Sequence, residues 1–317
     1  MKKPKPKRFI RRLLISIGFL FLAMNVIAFF HAYKLTHFAA ADSEKTKSSN
    51  QLSTSEKIKT ILFGVNNPKP VNTSLPAQDF ETIFLKSNKE IECWSIKSDS
   101  SKGTVVLFHG YNGNKSSMID KSDELLKLGY STFLVDFMGS GNSEGNQTTI
   151  GYKEAEQVKT VFEYLKQKTS EDIFLFGTSM GAVAIMKAEN DYNLNSTGII
   201  IECPFGSMYQ TTAKRFSNMN VPSFPMAGLL VFWGGTQNGF WAFGHQPTEY
   251  AKEINCPTLL LYGEKDNRVS PEEIDLIYAN LSGEKELKTY PKAGHENYLK
   301  KYKKEWVKDV GSFLEQN

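Results

Sequence analysis

The sequence has few cysteines. There are three in 317 residues, Cys93, Cys203 and Cys256, and their wide spacing fits no zinc-binding pattern and allows at most one disulfide. A disulfide-stapled mini-domain is excluded, and a chain this long can bury most of its apolar surface without staples or metal. Acidic residues are missing before Asp42, while seven Lys and Arg crowd the first twelve positions. Those seven account for the formal net charge of +4; the rest of the chain has 31 basic against 34 acidic residues. A basic face on the folded body is therefore not expected, and nucleic acid is not an expected partner. Internal repeats are absent, and so are low-complexity tracts away from the termini.

What the amino terminus does have is one long apolar run. Leu13 to Tyr33 contains no Asp, Glu, Lys or Arg, and as a helix it would span roughly 30 Å, the thickness of a bilayer core. The basic block precedes it, so the amino terminus is expected in the cytoplasm and the body outside. We read residues 1–12 as a basic cytoplasmic segment, 13–33 as a transmembrane signal anchor, 34–78 as a tether and 79–317 as the main domain. The alternative is a cleaved signal peptide processed at Ala39 to Ala41, giving a secreted protein. Within the tether, "IKTILFGV" has the makings of a short surface helix, and Pro68, Pro70 and Pro76 argue against regular structure after it.

From about residue 80, short apolar runs alternate with helical patterns. The expected strands are "TIFL", "IECWSI", "TVVLFH", "STFLVD", "IFLFG", "TGIIIE", "PTLLLYG" and "LKTY". Most are continuously apolar, which suits strands covered on both faces. Helices are expected near 116–128, 151–168, 180–189, 271–281 and 296–315. The pattern predicts an α/β fold with a mostly parallel sheet, beginning with an antiparallel hairpin at "KSNK".

In such sheets, chemistry gathers beyond the carboxyl ends of the strands. "GTSMGA", Gly177 to Ala182, places Ser179 there in a G-x-S-x-G turn between strand and helix. A sharp turn of that kind exposes the hydroxyl at a helix amino terminus, where N–H groups favour developing negative charge. Met180 N–H is one expected oxyanion donor, and Tyr111 N–H, in "FHGYNGN", is the other. Asp266 follows the penultimate strand in "YGEKDNRVSP", and His295 follows the last in "YPKAGHENY". A nucleophile, an orienting acid and a base thus occur in the order Ser179, Asp266, His295. Glu202, at the end of "GIIIE", is a rival for the acid, and Glu264 lies beside Asp266. His109 reads as structural, and His31, His37 and His245 have no partner motif.

These motifs resemble those of the α/β-hydrolase superfamily, in particular its esterase, monoacylglycerol-lipase-like and serine-aminopeptidase-like members, over about residues 80 to 315. "DFMGSGNSEG", Asp136 to Gly145, is similar to the family loop D-x-R-G-x-G-x-S-x-G, with Met138 in place of arginine. The resemblance implies an eight-stranded sheet with helices on both faces, and a short cap over about 204–254. It also implies acyl transfer to Ser179 with no metal or other cofactor. The cap is rich in Phe and Trp and carries no Asp or Glu before Glu249. An apolar wall suits a small-molecule acyl ester as substrate, lipid-like esters included. A peptidase of the aminopeptidase-like group would need an acidic pocket for a substrate amine, and a non-catalytic binding protein on the same fold is the third reading.

Overall fold

The computed structural model describes residues 6–47 and 51–317, so the start of the basic segment and residues 48–50 lie outside it. The first helix, α1 (Pro6–Thr36), is long and apolar enough to cross a membrane. A second helix, α2 (Thr54–Phe63), coincides with the "IKTILFGV" stretch and starts at Ser53 with a capping box closed by Glu56.

Among the described residues, eight strands form one sheet: β1 (Glu81–Lys86), β2 (Glu90–Ile96), β3 (Thr104–Phe108), β4 (Ser131–Val135), β5 (Ile173–Thr178), β6 (Gly198–Glu202), β7 (Thr258–Gly263) and β8 (Lys285–Tyr290). The spatial order is β1-β2-β4-β3-β5-β6-β7-β8. β1 and β2 form the expected antiparallel hairpin, and β2 is antiparallel to β4. All later neighbours are parallel. β3, β4, β6 and β7 are buried along their whole length, which is why their sequences read as unbroken apolar runs.

Helices cover both faces. α3 (Ile119–Lys127), α10 (Tyr298–Lys301) and α11 (Lys303–Gln316) contribute to one apolar core, with Leu125, Tyr298, Leu299, Trp306 and Phe313 packed on Leu107, Phe176 and Leu261. α4 (Glu154–Lys168), α5 (Met180–Tyr192) and α9 (Pro271–Asn280) contribute to the other, where Val158, Val183, Ile185 and Ile274 join Val106, Leu175 and Ile201. The interval between β6 and β7 holds α6 (Met208–Asn218), α7 (Met226–Asn238) and the short α8 (Pro247–Tyr250), where the cap is expected.

The stretch expected as a tether is held against this domain. His37 bridges Gln147, Lys69 Nζ donates to the carbonyls of Ser143 and Gly145 at 2.8 and 3.0 Å, and within the stretch Ala39 bridges Pro68. The carboxyl-terminal part of α1 packs on α7: Ala28 and Ala32 are buried against Leu230, and Trp233 Nε1 donates to Asn25 Oδ1 at 3.2 Å. Alanine at both positions keeps the α1 surface small where α7 crosses it.

Candidate active site

Ser179 sits between β5 and α5 with φ 52° and ψ −108°, a left-handed conformation that a non-glycine residue adopts only under constraint. The flanking glycines explain how the turn is built. A Cβ at Gly177 would lie 2.4 Å from Ala182 N, and one at Gly181 would lie 2.3 Å from Phe108 O. Both contacts are with backbone, so no side-chain shift relieves them. Ser179 N–H donates to Glu202 O at 2.8 Å, tying the turn to β6.

The three residues ordered in the sequence as nucleophile, acid and base come together at the carboxyl end of the sheet. His295 Nε2 lies 3.0 Å from Ser179 Oγ, and His295 Nδ1 lies 2.7 Å from Asp266 Oδ2. The other carboxylate oxygen, Asp266 Oδ1, accepts from the N–H groups of Arg268 at 2.7 Å and Val269 at 3.0 Å. With Asp266 ionised, Nδ1 carries the proton and Nε2 is left to accept from the serine hydroxyl. Burial works against the charged imidazolium, but the neighbouring Cys203 sulfur and the Asp266 carboxylate outweigh it, and the His295 pKa lies above the ordinary value.

The two residues expected to supply oxyanion donors, Met180 and Tyr111, lie on segments next to the serine. Met180 opens α5, and Gly110 brings the loop after β3 against the serine, where an added Cβ would sit 3.6 Å from Ser179 Cβ. Among the described residues, neither Met180 N–H nor Tyr111 N–H has a hydrogen-bond acceptor in the protein. The Tyr111 side chain points elsewhere: its hydroxyl donates to Leu35 O at 2.8 Å, at the end of α1.

The rival acid has a different job. Glu202 is fully buried and accepts from Trp306 Nε1 at 2.8 Å and Thr178 Oγ1 at 3.0 Å, with Lys121 Nζ 3.4 Å away. Both its oxygens are thus committed beneath the serine turn. His109 is also buried: Phe137 N–H donates to its Nε2 at 3.2 Å, so Nδ1 carries the proton and donates to Gly110 O at 2.8 Å. Burial lowers its pKa, which suits a neutral bridge between two loops. His245 is pinned between Tyr250 Oη and Ile150 O, each at 3.0 Å, with its pKa lowered by burial to about 4.

The loop that departs from the family pattern at Met138 has polar support from elsewhere. Lys115 is completely buried, 2.7 Å from Glu92 Oε1 and in contact with Asp136 Oδ2, and its backbone N–H donates to Asp136 Oδ1 at 2.7 Å. Ser143 Oγ donates to Asp136 O at 2.7 Å. Sequence reasoning passed over Lys115 because nothing local marks it; its partners come from β2 and the β4 loop. It also passed over Cys203, which is buried beside the site. The ligand-type atoms of Cys203, Asp266 and His295 all lie within 4.8 Å of one another. Its place immediately after β6 was the available signal.

Fold and site together define an α/β hydrolase. The comparisons with known proteins agree. Residues 99–230 match the family model described as serine aminopeptidase, S33, and residues 242–316 match that of PhoPQ-activated pathogenicity-related protein. The caffeoylshikimate esterase of Arabidopsis thaliana is 30% identical over 269 residues, covering 72% of this chain and 78% of that protein. An uncharacterized membrane protein of Saccharomyces cerevisiae, YNL320W, is 24% identical over 221 residues, covering 69% of this chain and 73% of that one. Among solved structures, the Pyrococcus furiosus esterase PF2001 superposes with a TM-score of 0.66 at 23% identity, covering 78% of this chain and 96% of that chain. The chain belongs to the α/β-hydrolase superfamily and is an esterase- or lipase-like member of it.

Proposed function

We propose that this chain is a membrane-anchored serine hydrolase that cleaves carboxylic esters through an acyl-enzyme. Ser179 Oγ attacks the ester carbonyl while His295 Nε2 takes its proton. The negative charge that develops on the carbonyl oxygen is held by the N–H groups of Met180 and Tyr111. The imidazolium, steadied by Asp266, then passes its proton to the leaving alkoxide. Water then gives a proton to the same nitrogen as its oxygen attacks the acyl carbon, and that proton passes to Ser179 Oγ as the bond to the serine breaks and the acid leaves. None of these steps calls for a metal or other cofactor.

The observation that carries this reading is the unbroken chain from Ser179 Oγ through His295 to Asp266, at 3.0 and 2.7 Å. A non-catalytic protein on this fold has no need of a strained serine aligned with a histidine–carboxylate pair. The match to a serine-aminopeptidase family model keeps a peptidase as the second reading. The cap counters it: residues 204–248 contain no carboxylate to receive a substrate amine. The length of the apolar run, with Ala39 to Ala41 well past its end, supports an uncleaved anchor, and the basic block before it supports a catalytic domain on the extracytoplasmic side.

The test is labelling with a fluorophosphonate probe, followed by hydrolysis of p-nitrophenyl esters of rising chain length. Wild type should label and turn over, and Ser179→Ala should do neither while keeping its fold. Turnover that survives in Ser179→Ala would remove the assignment.

A further inference from the structure

The cap lacks carboxylates, but it does carry cations. Lys214 and Arg215 are the only Lys or Arg between residues 204 and 248, and both lie on α6. Arg215 is partly buried, and its guanidinium lies 5.8 Å from the centre of the Tyr111 ring. Among the described residues it has neither a carboxylate partner nor a hydrogen-bond acceptor. Unpaired guanidinium groups are costly to bury, because desolvation is not offset by a counter-charge.

Its surroundings sharpen the point. Burial lowers its pKa, the Tyr111 hydroxyl opposes this, and Arg268 pushes the same way as burial, so a second cation stands close enough to be felt. Arg268 is exposed, also has no carboxylate partner among the described residues, and follows Asp266 by two positions. A guanidinium stays charged under such pressure. The last turn of α6 is itself bonded to that loop, with Asn218 Nδ2 donating to Asn267 O at 2.5 Å. The two arginines therefore stand on bonded segments, Arg215 on α6 and Arg268 on the loop that holds Asp266. Arg215 also lines a largely apolar pocket, together with Leu35 and Thr36 of α1, Ile150, Thr211 and Leu230.

We infer that Arg215, assisted by Arg268, receives an anionic group, a phosphate or a carboxylate, on an ester substrate whose apolar part lies along the cap. This rests on the reading of the chain as an ester hydrolase and names the substrate class of that site. Arg215 acts as a specificity determinant. It sets which esters are held at Ser179, and the same field disfavours a substrate that presents an ammonium group there.

Binding tests this separately from catalysis. The full-length Ser179→Ala protein is titrated with octyl phosphate and with the uncharged octyl dimethylphosphine oxide, each below its micelle-forming concentration. Octyl phosphate should bind more tightly. Arg215→Gln should cut that preference by about tenfold to a hundredfold, the range of a charge-assisted hydrogen bond. Arg268→Gln should cut it less, and Arg215→Lys should restore part of it. Equal binding of the two probes, or a preference that survives Arg215→Gln, would overturn the inference. Loss of the preference in a protein that hydrolyses no ester would uphold the anion site and refute the hydrolase reading instead. Inorganic phosphate as competitor distinguishes a substrate-borne group from a free ion. Displacement of octyl phosphate by phosphate alone at equal concentration would mean the site takes the ion without the chain, and the inference would fail.

Discussion

Replacing Asp266 with asparagine tests the site through one proton. In the protein, Asp266 Oδ1 accepts two backbone N–H groups and Oδ2 accepts from His295 Nδ1. An asparagine side chain keeps only one acceptor oxygen. The two N–H donors of Arg268 and Val269 are fixed in the backbone, so the amide oxygen must face them. Its NH2 group then faces His295 Nδ1, which has to accept rather than donate. That forces the proton onto Nε2, the nitrogen that should take the proton of Ser179. Shape, volume and loop hydrogen bonds are all preserved, while the base is held in the wrong tautomer. The corresponding substitution in a Ser-His-Asp protease costs about 10⁴ in kcat, or about 5.4 kcal/mol, and we expect a loss of that order here. The pH profile adds a second readout. Activity needs neutral His295, and its pKa is raised, so wild-type kcat/KM should climb with pH through a limb lying above the ordinary imidazole value. Without the carboxylate that limb should move to lower pH. Measuring kcat/KM on one p-nitrophenyl ester across pH, with thermal melting to confirm the fold, settles the matter. Activity within tenfold of wild type and an unmoved limb would refute the role given to Asp266.

Two further outcomes follow from features outside the triad. Lys115→Met leaves Glu92 and Asp136 as adjacent buried carboxylates without their cation, which should cost about 3–5 kcal/mol of stability. An unchanged thermal midpoint would contradict the account of Lys115 as the support of the Asp136 loop. The intact mass of the protein purified from membranes should include α1, whereas loss of the first 41 residues would replace the anchor with a cleaved signal.

The fold was legible wherever burial is uniform. Strands such as "TVVLF" and "GIIIE" are covered on both faces, so their composition alone marks them. Ser179, Asp266 and His295 were legible for a related reason, since each stands just past a strand of that kind. Long-range polar partners were not. Lys115 pairs with residues 23 and 21 positions away, and Glu202 takes its indole partner from residue 306, 104 positions away. No periodicity announces such pairs, because they are set by strand order. The stretch 34–78 reads as polar linker for the same reason: its contacts with the domain run through backbone bridges and single side chains, such as Asn72 Nδ2 donating to Asp136 Oδ2 at 2.8 Å, which leave no apolar pattern.

Those bridges change what the first helix is for. A helix joined to the domain by slack chain would fix only its distance from a membrane. Here α1 ends at Thr36, and Thr36 O accepts from Thr148 N–H at 2.8 Å on the loop before α4. One residue earlier, Leu35 O receives the Tyr111 hydroxyl. Tyr111 belongs to the loop that approaches Ser179, and its ring lies against Arg215 of the cap. The same helix carries Ala28 and Ala32 against α7. The end of α1 is thus in contact with the serine loop on one side and the cap on the other, and it forms one wall of the pocket that Arg215 lines. The helix long and apolar enough to span a membrane thus packs against both the serine loop and the cap. An ester held at Arg215, as inferred above, would therefore meet residues of α1 as well as of the cap.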